Sequence, residues 1–184
     1  MRALPIVILA TLAGCGPTIV LDRSEDGRAI LIRSPQPDAD DLRELHADAG
    51  IRTVLNLRGE KPEKGWFQEE AEGVRAIGAR WVHVPLSGSQ PPPPEHVETF
   101  FSLVEDPANW PILMHCMGGV HRAGAFSALF RIQYMGWDNA RAVQEMEDNY
   151  FNWTTRDREP LKQWLLQYER DPERRALHPE TVPE

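Results

Sequence analysis

Long apolar runs are missing from this 184-residue chain: none approaches the roughly 20 residues needed to cross a bilayer, which excludes a polytopic membrane protein. An excess of basic charge is missing too. Twenty Lys and Arg stand against 28 Asp and Glu, and a formal charge of -8 excludes non-specific nucleic-acid binding, which needs a basic surface to displace counterions. No nucleic-acid partner is expected, and any phosphate must be held locally. Cysteine occurs only at positions 15 and 116. His46, His83, His96 and His178 are scattered without metal-ligand spacing, so no metal and no cofactor is expected. No internal repeat is visible, and the length suits one domain with a sizeable core.

What is present begins with an address. Met1 and Arg2 make a short positive start, residues 3–13 are apolar, and Leu12-Ala13-Gly14-Cys15 resembles the lipobox of bacterial lipoproteins, in which the cysteine is lipidated and becomes the first mature residue. Residues 1–14 are therefore expected to be a lipoprotein signal peptide, Cys15 the lipidation site and 15–27 a tether. The protein would then be lipid-anchored in the cell envelope, facing the periplasm or the outside. The alternative is ordinary cleavage near Gly14 or Gly16. With Cys15 lipidated, Cys116 is the only thiol left and no internal disulfide can form.

Residues 28–170 alternate strand and helix patterns. Apolar runs at 29–33, 53–57, 81–84 and 111–115 read as strands. Helices are expected from Asp38 to a stop at Gly50, over 66–77, over 95–105, over 124–135, from Asp138 to about 150, and from Pro160 with Leu161, Trp164, Leu165 and Tyr168 as its stripe. Four consecutive prolines make residues 87–94 a loop. Residues 171–184, charged or proline-rich, are expected to fray. The fold class that follows is α/β: a mostly parallel central sheet of four to five strands with helices on both faces, whose ligands bind beyond the carboxyl ends of the strands.

That rule points to the turn after the strand at 111–115, His115-Cys116-Met117-Gly118-Gly119-Val120-His121-Arg122-Ala123-Gly124. Gly118 and Gly119 let the backbone curl so that successive N–H groups point inward, and the positive end of the following helix completes a nest for an oxyanion. The same field favours a thiolate. Cys116 is then placed to attack phosphorus while Arg122 offers a two-pronged guanidinium to the phosphoryl oxygens. The bland alternative, a buried inert cysteine beside a glycine turn capped by Arg122, leaves the Cys-to-Arg spacing and the paired glycines unexplained.

The form His-Cys-x-x-Gly-x-x-Arg resembles the signature of the cysteine-dependent protein tyrosine phosphatases. Arg33-Ser-Pro-Gln-Pro37, Thr53-Val-Leu-Asn-Leu-Arg58 and Pro111-Ile-Leu-Met-His-Cys116 resemble the small bacterial dual-specificity-like branch. The resemblance implies a phosphatase-like fold and a phosphocysteine intermediate. It makes Cys116 the nucleophile, Arg122 the phosphate clamp, and Met117, Gly118, Gly119, Val120, His121 and Arg122 the phosphate-binding loop. His115 would orient that loop and lower the pKa of the thiol.

Two positions depart from that pattern. Ala123 stands where the family usually has Ser or Thr, whose hydroxyl assists breakdown of the phosphoenzyme. The loop at 86–94, where the family carries its general-acid Asp, has Ser87 and Ser89 and no carboxylate. Glu60 and Glu95 are the nearest acids in sequence and read as surface carboxylates. His121 either contacts substrate or points outward, and Arg58 reads as loop support or half of a surface pair rather than as a phosphate ligand. Three functions are consistent with these residues. The leading one is hydrolysis of phosphotyrosine or phosphoserine/threonine on proteins, the second is hydrolysis of a small phosphoester such as an inositol phosphate, and the third is a phosphate-binding pseudophosphatase or scaffold. A rhodanese-type sulfur transferase does not fit the loop length.

Overall fold

Asp38 begins the first helix as the sequence predicts. Its carboxylate accepts from the N–H of Asp40 (2.8 Å) and of Asp41 (2.9 Å), while Asp41 returns a bond to the N–H of Asp38 (3.1 Å), a complete capping box. Gly50, at φ +69°, ends the helix in a left-handed conformation that costs glycine nothing. The computed structural model describes residues 18–148 and 159–178. The expected signal peptide, Cys15 and the last turn of the helix expected to reach residue 150 fall outside them.

The strands are β1 (Ile19–Arg23), β2 (Ala29–Ser34), β3 (Thr53–Asn56), β4 (Arg80–His83) and β5 (Ile112–His115). They form one sheet in the order β1-β2-β5-β3-β4, parallel except for β1, which runs antiparallel to β2 at the edge. The helices are α1 (Ala39–Ala49), α2 (Gly65–Ile77), α3 (Pro94–Glu105), α4 (His121–Met135), α5 (Asn139–Asp148) and α6 (Glu159–Leu166). Alternation along the strands divides the core. Ile32, Val54 and Leu113 face Leu42 and Leu45 of α1 and Val74 of α2, whereas Leu31, Leu55 and Met114 face α3, α4, α5 and α6. Helix α4 is buried from Ala123 through Gln133, as the all-round apolar run predicts. Burying a side chain such as Phe126, packed on Phe100 at 4.6 Å between ring centroids, contributes about 2–3 kcal/mol.

Two expectations need correction. Part of the expected tether is strand β1, joined to β2 by a hairpin in which Ser24 N–H donates to Arg28 O (2.9 Å) and Gly27 takes φ +83°. The first residues of the expected frayed tail are packed down. Arg174 pairs with Glu98 and Glu105 and covers the Phe101 ring, and His178 meets Asp22 at 2.8 Å. Charged residues that look unburiable in a linear reading are satisfied here by partners about 70 and 156 positions away.

The register aligns the carboxyl ends of four strands. Ser34 is opposite His115, His115 opposite Asn56, and Asn56 opposite His83. Every loop leaving this row ends on one side of the molecule.

Candidate active site

Cys116 follows directly on β5 and is 2% exposed. The backbone around it is pinned from both flanks. Leu57 N–H donates to His115 O (3.0 Å), and Gln36 N–H donates to Met117 O (3.1 Å). Because a trans peptide holds its C=O and N–H on opposite sides, a Met117 carbonyl turned out toward Gln36 turns the Gly118 N–H inward. No acceptor among the described residues takes the N–H groups of residues 117–120, and Val120, the N-cap of α4, supplies no side-chain cap. The loop therefore presents unengaged amides continuous with the positive end of a helix.

Gly119 is demanded twice. Its φ is +68°, and a Cβ there would lie 2.6 Å from Pro35 N and from Ser34 C. Only glycine lets the loop lie this close to the end of β2. Arg122, in the first turn of α4 and half-buried, donates from Nη1 to Leu57 O at 3.4 Å. Its guanidinium is thus drawn toward the residue that follows β3. Met117 is 62% exposed and forms an apolar rim.

Behind the loop lies a residue that sequence reading missed. Glu70 of α2 is fully buried, and four donors meet its carboxylate: His115 Nε2 (2.9 Å) and Trp81 Nε1 (2.6 Å) at Oε1, Asn56 Nδ2 (3.1 Å) and Gln36 Nε2 (2.9 Å) at Oε2. Burial by itself pushes this carboxyl up, but the hydrogen bonds from His115, Gln36 and Trp81 and the charge of His115 outweigh it and hold the group below its ordinary value. The bond at Nε2 fixes the ring of His115, the residue before the nucleophile.

Arg58 is not half of a surface ion pair. It leaves the end of β3, lies 3.5 Å over the Trp66 ring and donates to Gln36 Oε1 at 2.8 Å. The support expected of it is real, since Gln36 is the residue that pins the loop. His83 stacks near Phe67 and Trp81. Burial pushes its imidazole below the ordinary value, against the charges of Glu60 and Glu70.

The loop after β4 meets the site through Leu86 N–H, which donates to Leu57 O (3.2 Å), and through Gly88, whose absent Cβ would lie 3.8 Å from His121 Cβ. His121 is therefore at the mouth, half-buried. Ser87 is exposed and its hydroxyl accepts from the N–H of Ser89 and of Gln90. Glu60 and Glu95 are both exposed. Ala123 is fully buried.

A buried thiol at a strand end, a loop of open amides, a helix start and an arginine six residues on, all on this sheet, define the class of cysteine-based phosphatases. The chain belongs to the family described as DSP-PTPase phosphatase fused to NAD+ kinase, which matches residues 20–162. It is 27% identical to the dual specificity protein phosphatase TpbA of Pseudomonas aeruginosa strain UCBPP-PA14 over 121 residues, 66% of this chain and 51% of that protein. It is 30% identical to the inositol diphosphatase SIW14 of Saccharomyces cerevisiae over 105 residues, 55% of this chain and 36% of that protein. The chain thus spans about half or less of the curated relatives it matches. Among solved structures, the Siw14 catalytic core superposes with a TM-score of 0.63 at 23% identity, covering 77% of this chain and 82% of that one. The crystal structure of P. aeruginosa TpbA gives 0.60 at 22%, covering 86% and 90%. At these identities the likeness is one of fold.

Proposed function

We propose that this protein hydrolyses phosphomonoesters through a phosphocysteine intermediate. The observation that carries the reading is the loop from Cys116 to Arg122, with its unengaged amides, its obligatory Gly119 and an arginine anchored beside it on Leu57 O. A phosphate seated there takes N–H bonds from the loop and a two-pronged bond from Arg122, charge that grows more valuable as the equatorial oxygens gain density in the transition state. Cys116 Sγ attacks phosphorus, the S–P bond forms, and the bond to the leaving oxygen breaks. Water then attacks phosphorus, the S–P bond breaks, and orthophosphate leaves while sulfur recovers its electron pair. Phenolic leaving groups need least help from an acid, which suits a loop after β4 without a carboxylate.

Phosphorylated proteins are the favoured substrates, supported by the relative named a dual specificity protein phosphatase and by a TpbA structure described as a complex with pTyr. The lipobox supports a lipid anchor at Cys15 and a site in the cell envelope. The test is hydrolysis of para-nitrophenyl phosphate and phosphopeptides in EDTA by the wild type and by Cys116→Ser and Arg122→Lys. Turnover lost by at least about 10⁴-fold in Cys116→Ser supports the reading. Oxyanion binding without turnover in the wild type replaces it with the pseudophosphatase. For the anchor, Cys15→Ala must release the protein from the membrane fraction; retention there sinks the lipobox reading.

A further inference from the structure

Residues 34–37 read Ser-Pro-Gln-Pro and carry the chain from the end of β2 past the phosphate loop. Neither proline has a backbone N–H, and each confines the residue before it to extended backbone, so Gln36 supplies the only N–H of residues 35–37 from a stretch with little freedom. That N–H donates to Met117 O (3.1 Å), and the loop lies so close to the same segment that a Cβ on Gly119 would meet Pro35 N at 2.6 Å. The Met117–Gly118 peptide therefore takes its orientation from Gln36: its carbonyl faces Gln36 and its N–H faces the phosphate site.

The side chain of Gln36 is held as firmly as its backbone. Nε2 donates to Glu70 Oε2 (2.9 Å) and to Pro37 O (3.1 Å), and Oε1 accepts from Arg58 Nη1 (2.8 Å). An amide suits this pair of neighbours, because it gives hydrogen to a carboxylate on one side and takes it from a guanidinium on the other, and bonds to charged partners are the strong ones. Both neighbours are fixed in turn. Glu70 is fully buried and takes further bonds from Asn56, Trp81 and His115, while Arg58 lies 3.5 Å over the Trp66 ring. Tying the side chain to α2 and to the end of β3 therefore ties down the backbone N–H that turns the loop.

We propose that the Gln36 side chain is a positioning residue for phosphate capture: clamped between Glu70 and Arg58, it keeps the Gly118 amide aimed into the site. The inference rests on the phosphatase reading above and deepens it. Glu70 then serves the loop from two directions, behind Cys116 through His115 and across Gly118 through Gln36. Releasing the clamp leaves Cys116 and Arg122 in the chain and swings one donor amide away. The loss falls on affinity for phosphoryl oxygens, and on the transition state, in which those oxygens draw hardest on the loop amides.

The test compares the full chain with Gln36→Ala and Gln36→Glu by equilibrium binding of orthophosphate, by kcat/KM on para-nitrophenyl phosphate and by urea unfolding. Gln36→Ala is expected to weaken orthophosphate binding about tenfold and to lower kcat/KM by at least about tenfold. Gln36→Glu keeps the shape and decides the matter if Gln36→Ala fails to fold. The charged groups that meet position 36 are Glu70 of α2 and Arg58 after β3, with His115 of β5 beyond Glu70. Two carboxyls this close share one proton, so Gln36→Glu regains a hydrogen-bonded clamp where that proton is held and loses it to repulsion as pH rises. Its orthophosphate affinity, taken as a ratio to the wild type at each pH to cancel titration of the anion, is expected to come within about threefold of wild type at about pH 5 and to fall to the Gln36→Ala level at about pH 8. A lower urea midpoint with wild-type orthophosphate affinity in Gln36→Ala makes the residue a structural one and overturns the proposal. A Gln36→Glu ratio that stays flat with pH overturns it as well. A wild type that neither binds orthophosphate nor turns over overturns the phosphatase reading together with the clamp, whereas failure of the clamp alone leaves wild-type binding and turnover intact.

Discussion

Two loops converge on the carbonyl of Leu57, one through the Arg122 guanidinium and the other through the Leu86 amide. The loop after β5 is fixed at every step. Leu57 and Gln36 hold its carbonyls, the end of β2 leaves room for nothing but glycine at 119, and Glu70 locks His115 behind it. The loop after β4 bonds chiefly to itself, through the Ser87 hydroxyl, and brings serines where a proton donor would be wanted. On the proposed reading, phosphate capture is thus over-determined, whereas help for the leaving group is left to the substrate. The contrast explains why a chemistry that needs both steps is best matched here to good leaving groups.

The sharpest way to break the contrast is at Gly119. Gly119→Ala drives a methyl into the Ser34–Pro35 backbone at a left-handed φ; turnover should fall about 100-fold and stability by about 3 kcal/mol, read by para-nitrophenyl phosphate kinetics and urea unfolding. Unchanged oxyanion binding in that variant would show that the loop is looser than its contacts imply.

Next comes the brace. Glu70→Gln keeps the shape but sets an amide among four donors, at an expected cost of about 2 kcal/mol near pH 7. The Glu70 carboxyl is held below its ordinary value of 4.5 in the folded state. Its contribution is therefore fully present above that pH and is lost as pH falls through the folded value. The gap between wild type and Glu70→Gln should close on acidification, and a gap that widens would contradict the assignment.

The weak loop can be strengthened instead. Ser89→Asp restores a carboxylate near the mouth and should raise turnover of alkyl phosphates about tenfold while helping aryl phosphates less. An equal gain on both would mean the new acid acts by charge and not by protonation. Smallest is Ala123→Ser. One added hydroxyl should speed hydrolysis of the phosphoenzyme about fivefold in single-turnover experiments, and a slower second step would count against it.

Much of this was legible from the chain. Asp38 and Gly50 mark both ends of α1, the 3.6-residue stripes mark the other helices, and the Cys116-to-Arg122 spacing with two glycines marks the loop. Glu70 was not legible. It sits beside Glu69 and Glu72 on a helix with charged neighbours, and only the packing of α2 against β3 and β5 selects it for burial. Strand β1 escaped because its pattern is short and follows the apolar stretch at 3–13, although Asp26-Gly27 is a hairpin cue. Arg58 could be read as a brace, but not the Trp66 ring and the Gln36 amide that hold it, since those contacts depend on how α2 and the end of β2 come to rest beside β3.

The direction of β1 bears on how the mouth would be oriented in the envelope. Because it runs antiparallel, its first residue, Ile19, lies beside Arg33, one position short of the row that holds His115. A parallel edge strand would have started at the opposite pole, roughly 15 Å away. With the proposed acyl chains on Cys15, only three residues intervene before Ile19, a reach of roughly 14 Å at full extension. Such a leash would keep the mouth beside the leaflet and favour phosphates presented at the membrane surface over those diffusing far from it.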